Sequence, residues 1–364
     1  MASGTVRGGA ARAAILTTGL VLAAGAHAHA QAVIKVNDDV NFKLGVLGQF
    51  QADWLEDPAT NDTTQNLFIR RIRLLFAGQV AKTVTFFVQT DSVNLGKTLA
   101  TGKNISPSTI VQDAYGEFKA CDAFAVDAGL MFVPFSRNFL QSAASLLPID
   151  YGANTFAQSA ATQSTVGRDT GFQAKGYFLK NHLEYRVGAF QGVRDARSHR
   201  SFRSAGRVQY EVLEPEGTGF FYTGTYLGKK KVLAIGAAFD TQNDYHAYDA
   251  DAFADYPTGP GAITAQLDYN RIDGGATFAT LPKQNNILIE VGYLLRNLKL
   301  TPVFQFANRG VVDTTVGDQK NWSIGANYWW AGHNANIKAA VGRIEPRGQA
   351  SQKEFTIQMQ VFSF

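Results

Sequence analysis

Three guanidinium groups fall within four residues of the run Phe68-Ile69-Arg70-Arg71-Ile72-Arg73-Leu74. Arg71 and Arg73 stand two apart, the spacing that puts both side chains on one face of an extended strand. Further cations follow at Arg137, Arg168, Lys175, Arg186 and Arg207. Fixed cations in a confined watery space attract anions, most strongly where little water is left to screen them. The chemistry available to them is guidance of a passing solute rather than bond-making. Bond-making groups do not gather: His182, His199, His246 and His333 are scattered, with no metal-ligand spacing. There is no Gly-x-Ser-x-Gly elbow, and Gly96-Lys97-Thr98 lacks the upstream glycine of a phosphate-cradling loop. No catalytic residue, cofactor or metal is expected.

Each cation carries two readings. Arg71 and Arg73 form the rungs of a cation ladder, or they pair with acids across a wall. Arg137 is a constriction charge, or it anchors a loop through Asp150. Arg186 stands two residues from Glu184 on the same face, as a transport group or a neutralised pair. Arg168, beside Asp169, reads as the hinge that returns a loop and also counts among the anion-path candidates, with Lys175 and Arg207 in the polar phase of their strands. Arg70 falls in the opposite, apolar phase and is expected to snorkel at a rim.

The elements that must hold these groups announce themselves by alternation. Phe42, Leu44, Val46, Phe50, Ala52 and Trp54 take one face; Lys43, Gln49, Gln51 and Asp53 take the other. This is a strand with one apolar and one wet side. Seventeen such windows occur, most near ten residues, the length a tilted strand needs to cross a bilayer. Long and short connections alternate from both ends of the chain and collide at residues 220–227. Demoting the window 219–227 to an elaborate periplasmic turn leaves sixteen strands, with eighteen as the alternative. Aromatic residues such as Trp54, Tyr185, Tyr269, Trp322 and Trp330 fall in the apolar phase, as expected of interfacial girdles. The fold class expected is therefore all-β, a transmembrane antiparallel β-barrel.

One stretch breaks the rhythm. Residues 133–167 carry Pro134-Phe135-Ser136-Arg137, a possible helix over Asn138–Leu147, and a tract of small and amide residues. A structureless run of that length inside a β protein is usually functional. It is expected to fold inward as the constriction loop.

Residues 1–30 read as a cleaved signal peptide: Arg7 and Arg12, an apolar run over Ala13–Ala24, and Ala28-His29-Ala30 ahead of cleavage near Gln31. The remaining domain, 31–364, then holds 32 basic against 30 acidic residues, so only the placement of charge can favour an ion. No later segment is apolar for long enough to form a membrane helix. Cys121 is the only cysteine, read as inert in a short turn, so no internal disulfide is available. The chain ends on Phe364 with Phe362 and Phe364 out of phase with Val361, which calls for either a bulge or an overhang.

The chain resembles the phosphate-selective porins of the outer membrane over nearly its whole mature length. The carriers are the Phe68–Leu74 run, Asp113-Ala114-Tyr115, Gly129-Leu130-Met131-Phe132-Val133-Pro134-Phe135, Gly167-Arg168-Asp169-Thr170-Gly171 and Tyr226-Leu227-Gly228-Lys229-Lys230-Lys231. The resemblance implies a homotrimer of sixteen-stranded barrels in the outer membrane of a Gram-negative bacterium, each with an inward third loop and a basic permeation path. Arg71, Arg73 and Arg168 match positions of the family's pattern. The sequence departs from strong phosphate selection, because Arg137 is the only basic residue between Val133 and Gly167, against one acid, Asp150. Lys229–Lys231 reads as a solvated turn on the periplasmic side, with an exit funnel as the alternative. The expected function is passive diffusion of small hydrophilic solutes, favouring phosphate or similar anions, with membrane lipid and small anions as partners and nucleic acid excluded. A structural or adhesive barrel with a closed lumen is the alternative, and a soluble carbohydrate-binding β protein the third.

Overall fold

Alternating wet and apolar residues become paired strands throughout. A computed structural model describes residues 32–364 apart from 100, 157, 218 and 315. The expected signal peptide lies outside the described residues. The barrel strands are β1 (Asn41–Glu56), β2 (Thr63–Ala81), β3 (Val84–Leu95), β4 (Thr109–Cys121), β5 (Phe124–Phe132), β6 (Arg168–Phe178), β7 (Leu183–Phe190) and β8 (Arg203–Glu211). They continue as β9 (Val232–Gln242), β10 (Tyr245–Pro257), β11 (Gly261–Asp273), β12 (Gln284–Leu295), β13 (Leu300–Val311), β14 (Gln319–Tyr328), β15 (Ala335–Pro346) and β16 (Gln352–Ser363). Each pairs antiparallel with its sequence neighbour, and β16 pairs back to β1 from Glu354↔Leu55 to Ser363↔Val46. The result is a closed ring of sixteen strands. A short further strand, Ala32–Lys35, pairs with the start of β1 and lies outside the ring.

Closure sorts the two phases. On β11, Gln266 and Asp268 are buried, while the alternating Leu267 and Tyr269 are 48% and 43% exposed. The same contrast on strand after strand wraps the outside in apolar side chains far beyond the patch size a water-soluble monomer tolerates, which is the surface of a lipid-facing wall.

The third loop leaves β5 and returns to β6 through a neck where Val133 N–H donates to Gly167 O at 3.1 Å. Between these points it crosses the inside of the ring. Its first turn is helix α1 (Arg137–Leu140), capped by Ser136, whose hydroxyl accepts from Phe139 N–H at 3.1 Å. The helix expected over Asn138–Leu147 stops there, because Gln141 turns extended and bridges Tyr222. A second turn, α2 (Ser159–Thr162), precedes the return. Carbonyls that α1 leaves behind are taken up by the wall. Gln49 of β1 donates to Ala143 O at 3.1 Å and Gln360 of β16 to Ala144 O at 2.8 Å. Lys338 of β15 holds Leu146 O and Pro148 O at 2.6 and 2.9 Å, and Asn327 of β14 holds Leu147 O at 2.6 Å. Where the loop meets β12, a Cβ on Gly152 would stand 2.4 Å from Leu288 Cδ1, so any larger residue would have to displace that buried side chain.

The window 219–227 is not a strand, but neither is it a turn outside the barrel. The connection between β8 and β9 folds into the ring and packs on the third loop. Tyr222 is fully buried, its N–H donating to Leu140 O at 3.0 Å and its O accepting from Ser142 N–H at 2.9 Å. Phe220 stacks on Phe87 of β3 with ring centroids 4.6 Å apart, and Phe221 meets Phe132 edge-on at 5.7 Å. Three consecutive aromatic rings off the wall have no lipid to face, and the apolar side of the third loop is the nearest dry surface. At the C-terminus β16 stays in register with β1, pairing Phe362 with Leu47. Neither a bulge nor an overhang is needed: Phe362 and Phe364 pack against the same interior cluster, with Phe364 5.9 Å from Phe87.

Candidate functional site

A backbone irregularity builds the site. β2 pairs Arg71 with Gln49 but Ile69 with Phe50, so Arg70 is an extra residue, a β-bulge. The bulge turns Arg70 inward beside Arg71, instead of leaving it in the lipid phase where strict alternation puts it. Both guanidiniums close on one loop carboxylate. Arg70 Nε donates to Asp150 Oδ2 at 2.9 Å and Arg71 Nη2 to Asp150 Oδ1 at 2.6 Å, while Arg71 Nη1 holds Gln49 Oε1 at 2.8 Å. Burial works against charge on Asp150, but the two arginines and the N–H of Tyr151 outweigh it and hold its pKa below the ordinary carboxylate range.

Arg73, one step along the same face, donates to Asp91 of β3 at 2.8 Å. Arg168, the first residue of β6, grips Asp113 of β4 through Nε and Nη2, both at 3.1 Å, and lies flat on Phe132, 3.3 Å from the ring centre. Arg70, Arg71, Arg73 and Arg168 line one chamber of about 520 Å³ beneath the third loop, together with Asp91, Asp150, Tyr151 and Asn154. Four cations against Asp91, Asp150 and the Asp113 that Arg168 grips leave a formal surplus of +1. A second chamber of about 390 Å³ shares Arg70, Asp150 and Tyr151 with the first. There Arg70 and Lys97 face Asp53, Asp150 and Glu354, a formal surplus of −1. The Arg70–Asp150 pair is thus the partition between a positive and a negative compartment.

The remaining predicted cations sit in packed pairs. Arg137 is fully buried and is neither an exposed constriction charge nor a partner of Asp150. It forms a two-pronged pair with Glu216, both contacts at 2.7 Å, and lies over Phe253 at 3.6 Å. Glu216 belongs to the infolded β8–β9 connection, which the sequence reading put outside the barrel and so out of reach. Lys175 bridges Glu117 at 2.5 Å and Asp127 at 3.1 Å. Arg186 takes Glu184, the neutralised pair that their spacing allowed. Arg207 holds both oxygens of Asp251, at 2.5 and 2.9 Å. All seven predicted cations are buried, and of them Arg71, Arg73 and Arg168 line the larger chamber.

Residues 40–255 match the family model for phosphate-selective porins O and P. The chain belongs to that family. No curated protein matches the sequence significantly. Among solved structures, this porin is similar to OmpF of Salmonella typhi in complex with daunomycin, at TM-score 0.58 and 14% identity, over 90% of this chain and 100% of that one. An anion-selective porin from Comamonas acidovorans aligns at TM-score 0.59 and 12% identity, over 89% and 99% of the two chains. The outer-membrane channel DcaP of Acinetobacter baumannii aligns at TM-score 0.56 and 12% identity, over 90% and 99%. At such identities the likeness is one of fold.

Set in that fold, the porin has site residues that alternation alone does not reveal. Arg70 was readable only with the bulge, which shifts phase without any signature residue. Lys338 was legible as an inward lysine on β15, but its partners are loop carbonyls distant in sequence. The loop itself supplies no cation to the larger chamber; β2 and β6 do.

Proposed function

We propose that this outer-membrane porin passes small hydrophilic solutes passively and favours anions, phosphate or similar, with residues 133–167 as the constriction. The observation that carries the reading is the +1 surplus around the chamber beneath that loop. Arginine charge held in a narrow, poorly hydrated space acts through a lower effective dielectric than bulk water, so a modest surplus biases ion entry. Because every guanidinium there is already shared with a carboxylate or carbonyl, the bias is moderate and no tight phosphate trap is built. Export through a cleaved segment at residues 1–30 and assembly as a homotrimer belong to the same reading; a Vibrio cholerae outer-membrane protein of similar fold was solved in a trimer form.

The test is planar-bilayer recording in a KCl gradient. Discrete conductance steps with a reversal potential on the anion side, reduced by added phosphate, are expected. A second reading, a barrel with a closed lumen, is favoured by the two infolded segments that meet at Gln141 and Tyr222. Folded, reconstituted protein without conductance steps would select it.

A further inference from the structure

Two neighbouring strands carry an unbalanced square of side chains on the inner face, apart from the loop chamber. Asp249 and Asp251 stand two apart on β10. Asp268 of β11 lies directly opposite Asp251 in the ladder, and Asn270 opposite Asp249. Oxygens of the three carboxylates lie within 4.8 Å of one another, and all three residues are buried. Like charges directly across a ladder repel, so something must compensate them.

The protein's own compensation falls short. Arg207 satisfies Asp251 and reaches Asp249 only at 3.7 Å. The other nearby guanidinium, Arg137, is engaged by Glu216. Three carboxylates against Arg207 leave a formal surplus of two negative charges. Asp268 is occupied, accepting from Asn138 N–H at 3.1 Å and Gln266 Nε2 at 2.7 Å. Asp249 is the exception: its side chain is fully buried and neither oxygen has a hydrogen-bond donor. Asn270, at the fourth corner, is fully buried, and its Oδ1 accepts from Asn286 Nδ2 at 2.9 Å. A buried carboxylate without a hydrogen-bond donor is costly and calls for a counter-charge.

We propose that Asp249, Asp251 and Asp268 hold a divalent cation, calcium by preference, which balances the surplus of two. Calcium accepts irregular sets of carboxylate, amide and water oxygens, whereas magnesium demands a near-ideal octahedron. The square supplies oxygens from a wall, not a cage, and suits the former. The ion is also a staple. Asp251 accepts from Arg137 N–H at 3.2 Å and Asp268 from Asn138 N–H, so the carboxylates it gathers are those that hold the first turn of the third loop.

The experiment uses the full-length porin refolded into detergent without lipopolysaccharide, stripped with EDTA and dialysed. Equilibrium binding of radioactive calcium and the unfolding temperature with and without calcium are the two readouts, with magnesium as the comparison. One calcium per chain and a saturable upward shift in unfolding temperature are expected. Asp249→Asn, which removes the unpaired charge, should abolish both. If that variant does not fold, Asp268→Asn takes its place. Folded wild type that binds no calcium and shows no shift overturns the proposal and assigns the surplus to bound protons. Calcium binding that survives both substitutions overturns it too, by placing the ion elsewhere. Neither outcome depends on whether the barrel conducts.

Discussion

Asp150 is the residue on which the loop's position and the chamber's charge both turn. Replacing it with asparagine leaves Arg70 and Arg71 without their shared counter-charge, which raises the surplus around the chamber from +1 to +2 while loosening the loop. Asp150→Asn is therefore expected to move the reversal potential further to the anion side, and Arg71→Ala together with Arg73→Ala to move it toward cations. An unchanged potential in both would take these residues out of the permeation path. Glu216 is different in kind: its pair with Arg137 has no exposure on either side. Breaking one side of a fully buried pair typically costs about 3–5 kcal/mol, so Glu216→Gln should lower the denaturant midpoint without shifting ion preference. Both carboxylates titrate below their ordinary range because neighbouring arginines outweigh the opposing effect of burial. The sign follows: their stabilisation is complete above the ordinary carboxylate range of about 4 and fades as pH falls through the lower folded values. Hydrogen exchange of the loop amides, corrected for intrinsic rate, should stay slow from neutral pH down to that range and quicken below it.

At the scale of elements, the barrel wall was legible and its contents were not. Each strand places water-facing and lipid-facing groups alternately, so the chemical contrast is written residue by residue. The sixteen windows kept on that basis all fall on strands. Phe220-Phe221-Tyr222 gives the opposite lesson. Aromatic residues mark a lipid interface or a dry interior with equal force, and only the connection-length parity excluded the first. Arg70 was misplaced because one inserted residue inverts every later assignment by phase. The infolded connection yields its own prediction. Strands β8 and β9 pair from Ser204↔Thr241 to Glu211↔Ala234, without help from residues 213–230. Replacing those residues with a tight turn should keep the strand pairing at a lower denaturant midpoint, because Arg137 loses Glu216, and raise single-channel conductance, since the rings stacked on Phe87 and Phe132 would leave the lumen. An identical conductance would show that the connection does not obstruct flow.

For the whole molecule, near-neutral overall charge means that any preference comes from local arrangement. The screening length is about 10 Å at 0.1 M salt and about 3 Å at 1 M. The anion preference measured in bilayers should thus be larger in dilute than in concentrated KCl, and a preference independent of salt would point to a dehydrated binding step instead. Closure of the ring also bears on how the chain reaches this state. Gln49 and Gln360 donate to the adjacent loop carbonyls of Ala143 and Ala144, and Gln49 also donates to Gln360 at 2.8 Å across 311 residues of sequence. The third loop therefore has no complete seat until the first and last strands have met. Contacts of such high order form late and slowly, and before they do the nascent sheet keeps two unpaired edges that invite aggregation. The third loop is seated after the wall, so an assembly intermediate stalled before closure would be the leakiest form of the protein.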